Sequence, residues 1–162
     1  MFSENKLTET LHNLNNLSKD EYIKYKKDYF ENCIEIYDEF GNIVQTDIKK
    51  WATKFLYDCT VDKEWEDEKN ISLVRLEFID VFKYFRLCSN KVKLKIFETN
   101  NIDNLQNSVN DNSLILMYMK NENGFNKMYE MLNNLQIKAY FSILINDNIS
   151  NDFQIGVICS TD

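Results

Sequence analysis

With 162 residues, 44% of them apolar, the chain has the length of one ordinary domain (residues 1–162) and can bury a full core without staples. Its formal net charge of −7 argues against generic nucleic-acid binding and against an anionic membrane surface, because both need a basic footprint. No apolar run approaches the ~20 residues of a membrane span, and the first residues lack the continuous apolar stretch of a secretion signal. A soluble, cytoplasmic protein is therefore expected. The absence of proline, the three isolated glycines and the abundance of Asn, Lys and Ile match an AT-rich coding sequence, as in a low-GC bacterium, a phage or a large virus.

Leu7, Leu11, Leu14 and Leu17 fall on one helical stripe, which predicts a first helix from about Ser3. A second helix begins at Ser18, with Glu21 at capping-box spacing, Leu17 and Tyr22 at staple spacing, and Tyr22, Tyr25 and Tyr29 along one face. A small hairpin follows. Cys33 to Tyr37 alternates as a strand, Asp38 to Asn42 supplies the turn, and Ile43 to Thr46 returns. A third helix, capped by Thr46 or Asp47, carries Ile48, Trp51, Ala52, Phe55 and Leu56 in complete helical register.

Asp58 to Asn70 reads as a charged loop. Ile71 to Cys88 begins with strand-like alternation and ends with helical spacing, and its length favours mostly helix over Leu73 to Leu87. Val92, Leu94 and Ile96 alternate with Lys91, Lys93 and Lys95 as in a strand with one solvent face. A loop or short helix covers Asn100 to Asn112. Leu114 to Met119 is apolar throughout, as in a strand covered on both faces. Gly124 to Leu135 is helical, and Ile137 to Ile145 and Phe153 to Cys159 are strands. Leu114 to Ile145 fits a β-α-β crossover, with the last two strands as an antiparallel hairpin. The expected class is α+β: N-terminal helices and a hairpin, then a mixed, mostly antiparallel sheet of about four strands with helices packed on it.

The motifs exclude more chemistry than they suggest. His12 is the single histidine and lies off the leucine stripe, so histidine metal triads are excluded and a nucleophile–histidine pair would have to use it. Cys33, Cys59, Cys88 and Cys159 lack zinc-site spacing and read as reduced and structural. Gly41, Gly124 and Gly156 are too scattered for a phosphate loop or a dinucleotide fingerprint. No catalytic residue, metal ligand or cofactor is assigned.

The densest charge block is Asp58, Asp62, Glu64, Glu66, Asp67 and Glu68, with Trp65 inside it. A solvated loop, a divalent-cation site without EF-hand order, and a contact surface for a basic partner all fit this pattern. In the last reading Trp65 is the aromatic anchor. Lys91, Lys93 and Lys95 read as a solvent face that discourages edge pairing, or as a small basic stripe for an acidic ligand or RNA. The expectation is a small, non-enzymatic binding protein, such as an inhibitor, immunity protein or phage anti-defence factor, that sequesters a basic protein partner through Asp58 to Glu68. The alternatives are an enzyme working through Asp or Glu, which no spacing among 26 carboxylates singles out, and a structural or oligomeric viral component.

Overall fold

The computed structural model describes residues 16–60, 72–74, 76–107, 109, 112–134 and 139–161. The helix expected from Ser3 falls outside them. The second helix, α1 (Lys19–Asp28), starts as its sequence dictates. Ser18 Oγ accepts the Glu21 N–H at 3.3 Å and donates to Glu21 Oε1 at 2.9 Å. It continues through a π turn, Tyr29–Cys33, which turns Tyr29 and Phe30 into the core. Strand β1 (Glu35–Tyr37) and helix α2 (Thr46–Cys59) follow. Then come β2 (Ser72–Val74), α3 (Phe78–Leu87), β3 (Lys91–Thr99) and a 3₁₀ segment (Ile102–Asn107). The chain closes with β4 (Ser113–Met119), α4 (Phe125–Asn134), β5 (Ala139–Ile145) and β6 (Phe153–Ser160).

The fold is α+β. Six strands, rather than about four, form one mixed sheet in the order β1-β3-β6-β4-β5-β2. β4 and β5 pair in parallel across α4, as the crossover reading requires. The last two strands do not form a hairpin. β6 inserts between β3 and β4 and pairs antiparallel with both. The reason is burial: Ile155 and Ile158 are fully buried, and a central position covers both faces of β6 where an edge would not. The early hairpin is also absent as such. β1 pairs in parallel with β3, and the chain after its turn returns only one isolated bridge, Ile43 to Tyr37. The ambiguous stretch divides at Leu76, with short β2 before it and α3 after it.

Two layers cover the sheet. On one face, α1, α2 and α3 pack against Leu94, Leu114, Leu116, Leu144 and Ile158. Tyr22, Tyr25, Tyr29 and Phe30 meet the Phe78 ring edge to face, with centroids 5.5 to 6.3 Å apart. On the other face, Ile102, Leu105 and Met128 cover Ile115, Met117, Ile143 and Ile155. All seven residues of β4 are buried, as its unbroken apolar run requires. Trp51 packs closely against Gly156 of β6: a Cβ there would come within 2.9 Å of the indole and 3.2 Å of Leu94. Gly156 is therefore the place where the sheet admits α2 closely.

Candidate functional site

Strands β3, β4 and β5 end, and β6 begins, at the same end of the sheet. Their loops are held by asparagine side chains. Asn100 Oδ1 accepts the Asp152 N–H at 2.9 Å, Asn101 Oδ1 the Asp103 N–H at 3.0 Å, and Asn121 Oδ1 the Asn123 N–H at 2.9 Å. Asn146 Oδ1 accepts the Asn148 N–H at 3.0 Å. These bonds stand in for backbone pairing, which explains the asparagine-rich composition here. Glu98, Asp103, Glu122, Asp147 and Asp152 are exposed on this end, and Lys120 is the one cation among the described residues of its loops.

Two clefts open beside these loops. On the α4 side, a cavity of about 310 Å³ has Met119, Met128 and Phe153 in its floor and Asn100, Asn121 and Lys120 on its rim. On the α2 side, a cavity of about 400 Å³ is lined by Trp51, Lys54, Asp58, Tyr118, Asp147 and Gln154, among others. Trp51 Nε1 donates to Gln154 Oε1 at 3.0 Å, and the Trp51 and Tyr118 rings stand 5.9 Å apart at 81°. Burial, and then the Asp58 carboxylate, raise the Tyr118 hydroxyl above the usual phenol range, so this wall is neutral. A groove of about 950 Å³ between α1 and α2 shares Lys54 and Asp58 with this cavity and is lined also by Lys27, Lys49, Lys50, Phe30 and Tyr57.

Asp58, expected in the charged loop, belongs to the last turn of α2 and is 8% exposed. Lys54 meets Asp58 Oδ2 at 2.6 Å across one turn of the helix. Thr60 Oγ1 donates to Leu56 O at 2.7 Å, and buried Lys26 donates to Thr60 O at 2.8 Å from a position 4.9 Å from the Tyr57 ring. Neither Thr46 nor Asp47 caps the helix start. Gln45 is the N-cap and makes no side-chain cap bond, while Asp47 sits favourably in the first turn. Asp62, Glu64, Trp65, Glu66, Asp67 and Glu68 lie outside the described residues. The ends of that stretch are described. Leu76 N donates to Cys59 O at 3.3 Å, and Ser72 pairs with Leu144, one residue from the end of β5. The stretch thus rejoins the fold at the end of the sheet that bears Asp147 and Asp152.

The lysines of β3 lie on the face opposite Leu94, with Lys91 and Lys95 exposed, Lys93 half-buried, and Lys95 3.6 Å from Glu39. All four cysteines are free thiols. Burial pushes Cys59 up to about 12 and also raises Cys33 and Cys159, which keeps these thiols protonated and unreactive near neutrality. His12 lies outside the described residues, and among those residues no group of three His, Cys, Asp or Glu side chains is arranged to hold a metal. No helix among them is long and apolar enough to cross a membrane.

Sequence spacing missed Trp51, Tyr118, Gln154 and Asp147 as neighbours of Asp58. One signal was present. Gln154 and Gly156 interrupt the apolar positions on one face of a covered strand, and both serve the Trp51 indole. Comparison of the chain with protein-family models, curated proteins and solved structures returns no match.

Proposed function

We propose that this chain is a non-enzymatic binding protein that captures a basic protein partner at the carboxylate-bearing end of its sheet and occludes it, in the manner of an inhibitor or immunity protein. One observation carries the reading. The stretch containing Asp62, Glu64, Glu66, Asp67 and Glu68 rejoins the fold at Ser72, beside the end of β5, where the exposed Asp147 and Asp152 follow. The acidic run thus precedes in sequence a strand that pairs beside carboxylates assembled by topology. Such a field steers a basic partner and speeds encounter. Trp65 supplies the aromatic anchor, and affinity resides in it more than in the rim charges.

Titration with a fluorescent arginine-rich peptide tests this reading. Neutralising Asp62, Glu64, Glu66, Asp67 and Glu68 to their amides should weaken binding about tenfold or more at low salt and flatten its salt dependence. Neutralising five exposed carboxylates of α1, β1 and α3 should do much less. Equal effects of the two variants would leave only a diffuse field and overturn the placement.

A further inference from the structure

We propose that the cleft between α2 and the Asn146–Asn148 loop is a socket for one arginine side chain of the partner, with Asp58 as its buried counter-ion. The inference rests on the basic-partner reading above and specifies how one side chain of that partner is held.

Asp58 is unfavourably placed on three counts. A carboxylate in the last turn of a helix opposes the macrodipole. Its partner Lys54 precedes it by four residues, the less favourable order for a helical ion pair. Its side chain is only 9% exposed, and burying a charge costs free energy unless it is well paired. The partner it has is largely solvated. Lys54 engages Oδ2, and its own side chain is 68% exposed, so most of that ammonium's shell is water. Residues that break local rules without a structural gain collect at functional sites.

The surroundings supply what a guanidinium requires. Trp51 and Tyr118 form two aromatic walls at nearly a right angle, and aromatic faces attract a planar, weakly hydrated cation. Gln154 holds the Trp51 indole in place through Nε1. Asp147 stands exposed at the mouth and adds a second negative charge. The volume of about 400 Å³ admits a side chain of this size but not a folded segment. In the free protein Lys54 occupies the counter-ion position. An incoming guanidinium takes Asp58 with its planar fork, and Lys54, whose side chain is 68% exposed, moves out along its stem as the guanidinium replaces it as counter-ion.

The Trp51 indole N–H resonance reads this event directly. It is assigned by comparison with a Trp65→Phe variant, since the chain has two tryptophans. Titration with acetyl-Gly-Arg-Gly-amide should shift the Trp51 signal to saturation, with acetyl-Gly-Lys-Gly-amide weaker and acetyl-Gly-Gln-Gly-amide inert. Asp58→Asn should weaken the arginine peptide about tenfold or more. Lys54→Gln removes the competing cation and should tighten it a fewfold, which keeps the test decisive even if Asp58→Asn unfolds. A Trp51 signal indifferent to the arginine peptide, or a Lys54→Gln protein that binds no better than the parent, overturns the socket. The five-amide variant of the acidic stretch judges the wider reading separately, because it leaves Trp51, Lys54 and Asp58 in place.

Discussion

The two faces of the sheet are equally dry at β4 but are built from different material. Leu114, Leu116 and Tyr118 meet three helices and a network of edge-to-face aromatics. Ile115, Met117 and Met119 meet one helix and a 3₁₀ segment, in a cluster whose buried members are aliphatic and thioether apart from Phe153, with Phe97, Phe125 and Phe141 half-buried at its margin. Aromatic rings have few rotamers and preferred mutual angles, so the first face holds its geometry closely. Methionine fills gaps in many shapes, so the second face is more forgiving. The second face is also roofed only in part, and Lys91, Lys93 and Lys95 lie on the portion of β3 left open. The cleft containing Asp58 lies on the rigid side, where a fixed pair of aromatic walls is available.

The sharpest test of this contrast is Phe82→Ala. Phe82 is 2% exposed and touches Tyr29 and Phe78 with centroids 5.0 and 5.9 Å apart. Its loss should cost about 3–5 kcal/mol in urea denaturation. Alkaline pH probes the same face. Unfolded Cys59 ionises near 9.0, whereas burial holds the folded thiol to about 12. The unfolded state therefore releases its proton first. This contribution to stability is intact below pH 9 and declines steadily as pH rises toward 12. Cys59→Ala should reduce the slope of unfolding free energy against pH just above 9, and an unchanged slope would place the titration elsewhere.

Gly156→Ala comes next. Its methyl meets the Trp51 ring at 2.9 Å, and overpacking of this kind should cost about 1–3 kcal/mol while broadening the Trp51 indole signal. Met117→Leu, on the forgiving face, should cost less than about 1.5 kcal/mol. A larger loss there would erase the distinction between the two faces. Smallest of all, replacing Lys91, Lys93 and Lys95 together by Gln should change stability by no more than about 0.5 kcal/mol. It should also leave capture of an arginine peptide intact or slightly improved.

Much of the secondary structure was legible because it follows from local periodicity. The register of Ile48, Trp51, Ala52, Phe55 and Leu56 is α2, the unbroken Leu114–Met119 run is β4, and the alternation from Val92 to Ile96 is β3. Leu73–Leu87 read as mostly helix because its length exceeds that of a typical strand, yet the chain switches at Leu76, where Leu76 N bonds to Cys59 O rather than to a helical neighbour. Asp58 was legible as part of an acidic cluster but not as buried. It shares a cleft with Tyr118 and the loop beginning at Asn146, neither of which is near it in sequence.

Amino-acid order alone determined the α+β class, the capped start of α1, and the apolar faces of α2 and β3. Each of these depends on spacing within a few residues. Only the tertiary structure decided that β6 would lie between β3 and β4, that β1 would run parallel to β3, and that Asp58, Trp51, Tyr118 and Asp147 would share one cleft. Hydrophobic period states which face of a strand is buried but not which strand lies beside it. That choice is made by the global competition to cover every apolar face at once.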